Sequence, residues 1–294
     1  MKVVGIGGGH GLAITLRAAR MYADDVAAVV TVADDGGSSG RLTSELGIPP
    51  PGDIRNCLVA LADGGPLADM FQHRFQQGTL EGHPIGNLVI AALAEMSGDF
   101  ASAVEEAGRL LGSDGHVYPA TTELVRLSAV VEGGVVQGQV AVAQTKAPIH
   151  SVHLVPSAPE AHPAAVEAIR AADQIVIGPG SLFTSLIATL LVPGIRDALA
   201  DTAATKVFVC NARIQKGETE GMDVAAHVEA LLVHAGIGSI NTVVLQDPPL
   251  ADAVPLADES WRWPEIEVVR GDVADDESGH DPARLAKVLA SLVR

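Results

Sequence analysis

The chain has 294 residues, long enough for one large α/β unit or two smaller ones, and its 48% apolar fraction argues against disorder. Its net charge of −17 argues against a general nucleic-acid binder, which needs Lys and Arg to displace counterions, and against electrostatic docking on an anionic membrane. A small anionic ligand stays open, because backbone N–H nests and a few Arg override a global charge locally.

Lys2–Ile6 reads as a short strand that breaks at once into Gly7-Gly8-Gly9-His10-Gly11, with no signal-peptide core. Glycines between a strand and a helix let N–H groups approach an anion, and the helix dipole adds to the attraction. Leu12–Tyr22 follows as a helix with Leu12, Leu16 and Ala19 on one face. The loop is not a P-loop, since no Gly-Lys-Ser/Thr follows. It also misses the dinucleotide spacing, because His10 holds the place of the third glycine; a nicotinamide oxidoreductase is therefore the less favoured reading.

Val26–Ala33 is a continuous apolar run, the pattern of a strand buried on both faces. It ends in Asp34-Asp35-Gly36-Gly37-Ser38-Ser39-Gly40-Arg41, expected to form a small-residue loop. Ser38, Ser39 and Arg41 suit a phosphate or sugar hydroxyl. Asp34, Asp35 and, further on, Asp53 are candidate ligands for Mg²⁺, which takes carboxylates together with ligand phosphates. After the spacer Pro49-Pro50-Pro51-Gly52 come Asp53, Ile54, Arg55 and Asn56, at the start of a helix through Ala62. Arg55 offers a fork matched to phosphate oxygens. Leu67–Phe75, Leu88–Met96 and Phe100–Leu111 read as helices, with Asn87 at the start of the second as an N-cap or a ligand contact.

Val117–Val155 loses the helical period and reads as short strands: a hairpin of Leu124–Val131 and Val135–Val142, then Ile149–Val155. It is either an insertion or an antiparallel edge of the sheet. The α/β rhythm returns with the helix Pro163–Ala172 and the strand Gln174–Ile177. Gly178-Pro179-Gly180-Ser181 is a second anion nest, followed by the helix Leu182–Leu191. The strand Lys206–Cys210 ends at Asn211, which with Gln215, Glu218 and Thr219 is a candidate to read a base or sugar. His227–Ala235 is a helix, Thr242–Leu245 a strand, Pro248–Pro264 a loop, Ile266–Arg270 a strand and Asp281–Val293 a closing helix. Trp261 and Trp263 are expected to pack in the core or at a subunit contact. Cys57 and Cys210 lack a C-x-x-C partner, so neither zinc nor a disulfide framework is indicated. No run approaches the ~18 apolar residues of a membrane span. No linker divides the chain.

Taken together, the glycine loop, Val32–Leu42, Pro50–Asn56, Gly82–Leu88, Gly178–Leu182 with Thr184-Ser185, and Gly217-Glu218-Thr219 resemble the YvcK-type, CofD-like proteins known as gluconeogenesis factors. The resemblance spans residues 1–245. It implies one CofD-like α/β domain over 1–294, with a Rossmann-like, mostly parallel sheet flanked by helices. It implies a cytoplasmic protein that binds a UDP-sugar such as UDP-N-acetylglucosamine, a homo-oligomer (a dimer), with partners in the cell envelope. It further implies a role in cell shape and envelope precursor supply during gluconeogenic growth, with no established turnover. The related CofD branch is a Mg²⁺-dependent transferase that moves a phospholactyl group from a guanosine diphosphate donor to a deazaflavin. The Asp-Asp-Gly-Gly-Ser-Ser loop is similar to the YvcK branch. His10 stands where that family usually has Thr, Arg213-Ile214-Gln215-Lys216 departs from its usual Met-Thr-Gln-Pro, and the tail beyond Asp247 matches poorly.

Overall fold

A computed structural model describes residues 1–256, 261–275 and 279–293. The main sheet contains β1 (Lys2–Gly7), β2 (Asp25–Val30) and β3 (His116–Pro119). A second group of strands, β4 (Arg126–Val131), β5 (Gly134–Gln137) and β6 (Ile149–Val155), builds a separate antiparallel sheet in the order β5-β4-β6. The main sheet is completed by β7 (Gln174–Ile177), β8 (Thr205–Val209), β9 (Thr242–Gln246) and β10 (Glu267–Gly271). Its seven strands run in the order β10-β9-β8-β7-β1-β2-β3, and every pair is parallel. The chain winds outward from β1 to β3, returns to β7 and winds the other way. The order therefore reverses between β1 and β7, and that crevice, at the carboxyl ends of the strands, is where such sheets take ligands.

Alternate residues of each strand enter cores on opposite faces. Val3, Ala28 and Val176 pack under helices α1 (Gly9–Ala19) and α3 (Gly52–Leu61); Val4, Ile6, Val29 and Ile177 pack on the other side, with the helix Pro163–Ala171 and the antiparallel sheet. At Gly5 an added Cβ would stand 2.8 Å from Leu12, so the glycine lets α1 lie close on β1.

Three expectations are corrected. The Asp34–Arg41 stretch is not wholly a loop: Gly37–Leu46 is a helix, α2, that buries Ser38, Ser39 and Leu42. Val135–Val142 is not one strand: after β5, Gly138 turns at φ +96 and Gln139–Ala143 coils into a short helix. Leu182–Leu191 is helical but opens with a π-helical segment, Leu182–Ile187, in which Leu186 N–H donates to Ser181 O. A helix not anticipated covers Pro193–Asp201, and β3 joins the main sheet rather than the hairpin. Part of the expected loop Pro248–Pro264, residues 257–260, lies outside the described residues. Trp261 and Trp263 meet each other edge-to-face and, half-buried, pack against the core. Among the described residues no single helix is long and apolar enough to cross a membrane.

Candidate functional site

The two glycine loops meet at the crevice. A Cβ on Gly11 would lie 2.2 Å from the Pro179 carbonyl oxygen, and one on Gly180 would lie 3.7 Å from the Gly8 oxygen. At Gly11 only bare backbone permits this approach, whereas at Gly180 the contact is ordinary and it is φ +148 that favours glycine. Gly7 and Gly9 have positive φ (+148 and +62), turning the chain from β1 into α1. The second loop is pinned from both sides. Thr15 Oγ1 donates to Gly178 O at 2.7 Å; the Asn211 amide donates to Gly180 O and its oxygen accepts from Gly180 N–H, both at 3.0 Å. Asn211 therefore shapes the loop. Leu12 is fully buried in the core, so only its backbone belongs to the loop. His10 is exposed on the first turn of α1.

The acids divide. Asp53, on the first turn of α3, accepts the Gly9 N–H, and its carboxylate would lie 2.5 Å from a Cβ on Gly8. Burial, and then the Asp34 charge, push its pKa up to about 6; the Gly9 N–H and Arg55 hold it back. Asp34 is half-buried and accepts from Gly36 N–H at 2.9 Å and from the Ser39 hydroxyl; burial raises its pKa too. Asp35 does not join them. It is exposed, and its two oxygens accept the Gln139 and Val140 N–H groups at 3.1 and 3.0 Å, capping the short helix on the antiparallel sheet. The three expected cation ligands are thus two near the crevice and one helix cap. Among the described residues no group of three or more His, Cys, Asp or Glu could hold a metal.

Raised above the ordinary 3.8, the Asp53 pKa means that the folded state binds this proton more tightly than the unfolded chain. Its stability contribution is complete below the unfolded value and lost as pH rises through about 6. Asp53→Asn, which retains an acceptor for Gly9, is expected to stabilise the unliganded protein at pH 7.5 by on the order of 2–3 kcal/mol. The gain should vanish near pH 4. Urea unfolding at both pH values checks this; an equal effect at both would refute it.

Behind the acids lies a buried polar chain. His83 Nδ1 pairs with Ser38 Oγ at 2.8 Å, and Asn87 Nδ2 donates to the same Oγ at 3.0 Å. Arg55, 5% exposed, donates to Asn87 Oδ1 at 2.8 Å and to Asn56 Oδ1 at 2.7 Å. Burial, reinforced by Arg74, lowers the Arg55 pKa to about 10. Gly86 makes room for it: a Cβ there would press on the Arg55 methylenes at 2.8 Å. Asn87 is therefore the bridge between α2 and α3, not a side-chain cap of its own helix, Ile85–Ser97. Arg41 lies exposed beyond this chain and donates to Glu81 O at 2.7 Å.

On the β7 side, Glu218 closes the start of the π-helical segment. It accepts from Thr184 N–H at 3.1 Å, from the Thr184 hydroxyl at 3.3 Å and from Gln215 Nε2 at 3.1 Å; burial pushes its pKa up to about 7. Gln215 also donates to Ser181 Oγ at 2.8 Å, and Thr219, buried, donates to Gln215 O. These residues brace the second glycine loop.

Residues 3–279 match the family described as 2-phospho-L-lactate transferase CofD. The chain belongs to the CofD family. It is similar to the gluconeogenesis factor of Bacillus subtilis, 41% identical over 311 residues that cover 100% of this chain and 98% of the relative. The gluconeogenesis factor of Halalkalibacterium halodurans is 44% identical over 256 residues, 86% of this chain and 80% of that protein. A crystal structure of a UPF0052-family protein from Bacillus halodurans superposes with a TM-score of 0.93 at 37% identity, covering 98% of each chain.

Within this CofD-family fold, sequence reasoning left out Thr15, and it took in His83, Gly86 and Thr184 only as members of the quoted motifs, without the partners the fold gives them. Thr15 had a signal, a hydroxyl on the otherwise apolar face of α1, one turn beyond the glycines. The partners of the others, Ser38, Glu218 and Arg55, are found only once the elements are brought together.

Proposed function

We propose that the chain binds a nucleotide sugar of the UDP-N-acetylglucosamine type and acts in the cytoplasm as a regulatory protein of cell shape and envelope precursor supply during gluconeogenic growth. The observation that carries the binding is the apposition of the Gly7–Gly11 and Gly178–Ser181 loops over the β1/β7 crevice, at the start of α1. Asp53 takes the Gly9 N–H and Asn211 the Gly180 N–H; the remaining N–H groups at the start of α1, those of His10 and Gly11, suit a phosphate despite the overall negative charge. The relatives' name, gluconeogenesis factor, supports the link to gluconeogenic growth.

Thermal unfolding with UDP-N-acetylglucosamine tests the binding. A ligand at ~100 times its Kd adds about 2.7 kcal/mol of stability. No shift at millimolar ligand would sink the proposal.

A second reading, a CofD-class transferase, is favoured by the family match and by Asp34 standing beside Asp53. Mg²⁺ held largely by ligand phosphates needs about one or two protein carboxylates, and these two fit that requirement. Such an ion would neutralise charge on the diphosphate. Incubation with a guanosine diphosphate lactyl donor, a deazaflavin and Mg²⁺ separates the readings: transfer establishes the enzyme, and its absence alongside UDP-sugar binding favours the regulator.

A further inference from the structure

The carboxyl edge of the sheet carries a cleft on each side of the glycine loops, and the two differ in chemistry. Beyond β8 and β9 a cleft of about 330 Å³ is walled mostly by apolar residues, among them Leu245, Pro249, Leu250, Pro255 and Leu256. Beyond β2 a cleft of about 390 Å³ lies between α2 and the antiparallel sheet, and Asp34 is on its wall. Its polar lining includes Thr43, Ser128 and Gln137, and its apolar lining includes Leu124 and Val155. Among the described residues lining it, Arg126 is the one basic side chain, against Asp34 and Asp35.

An anion is disfavoured there, whereas hydroxyl groups donate well to carboxylates and accept from amides and hydroxyls. Apolar side chains beside such donors suit the C–H faces of a sugar ring or an acyl methyl. Thr43 Oγ1 supplies an independent sign. It is buried and has no hydrogen-bond partner among the described residues, a state that costs free energy until a polar group arrives.

Resting on the nucleotide-sugar reading above, we infer that the glycosyl end of the ligand lies in the cleft between α2 and the antiparallel sheet, with Thr43 and Gln137 among its hydrogen-bonding partners. The base then takes the apolar cleft beyond β8, and the diphosphate spans the glycine loops between them. The antiparallel sheet is on this account a specificity element, held to the site by the Asp35 cap on Gln139 and Val140.

Calorimetric titration of two probes, UDP and UDP-N-acetylglucosamine, tests the assignment on the wild type and on Thr43→Val and Gln137→Ala. Thr43→Val is nearly isosteric, and Gln137 is exposed, so the second variant keeps the test sound if the first folds poorly. Each variant is expected to weaken UDP-N-acetylglucosamine about fivefold to tenfold, the value of one lost hydrogen bond, and to leave UDP unchanged. Equal loss for both probes, no loss for either, or a wild type that holds the sugar nucleotide no tighter than UDP would overturn the assignment. A wild type that binds neither probe refutes the nucleotide-sugar reading itself.

Discussion

Gly11→Ala is expected to weaken UDP-N-acetylglucosamine binding by about 100-fold or more and to destabilise the unliganded protein by about 1–3 kcal/mol. The added methyl would stand 2.2 Å from Pro179 O, 2.7 Å from Pro179 C and 3.1 Å from Gly180 Cα. All three are backbone atoms, so no rotamer change relieves the clash. Nor can the second loop swing freely, since Thr15 holds Gly178 and Asn211 holds Gly180. The loops must part by roughly 1 Å, and a misplacement of that size is enough to dismantle a cradle of N–H donors. Gly9→Ala is the matched control. Gly9 has φ +62 and nothing within 4 Å of an added Cβ, so its cost is conformational, about 1–2 kcal/mol, with no push on the second loop. Calorimetry and urea unfolding of both variants decide between them: equal affinities would mean that the close approach of the loops is irrelevant to binding.

Asn87→Ala should cost roughly 2–4 kcal/mol and lower Tm by about 5–10 °C. The side chain is 1% exposed and serves two neighbours, taking the Arg55 guanidinium N–H and giving its own to Ser38. Its loss strands part of a guanidinium that is itself 5% exposed. It also unties α2 from α3, and with them the elements that carry Asp34 and Asp53. Asn87→Asp keeps an acceptor for Arg55 and should retain most of the stability. A Tm for Asn87→Ala within a degree of wild type would show that the polar chain is incidental.

The parallel architecture was readable because apolar runs such as Val26–Val30 and Ile175–Ile177 leave no polar face, which a sheet covered on both sides satisfies. The glycine clusters marked where backbone must come close. Their partners were not readable. Asp35 looks like half of an acidic pair on its own loop; its role as a cap is set by Gln139 and Val140, about a hundred residues later, which fold brings to it. The structural partners of Asn87 and Asn211 were hidden for the same reason: an exposed-seeming amide at a helix or strand end gives no local sign that Arg55 or Gly180 will bond to it. Ser38 and Ser39 read as loop because Gly36-Gly37 and Gly40 flank them, yet Leu42 supplies the apolar contact that winds α2 against the body. In each case the residue type was informative about hydrogen-bonding capacity, and tertiary packing decided which partner received it.

The central claim is that the paired glycine loops at the β1/β7 crevice hold the diphosphate of a nucleotide sugar. A crystal structure with UDP-N-acetylglucosamine tests it most directly. Both phosphates are expected between the two loops, against the His10 and Gly11 N–H groups at the start of α1, with the glycosyl group toward Thr43. Phosphates bound elsewhere, with the two loops still in contact and empty, would contradict it.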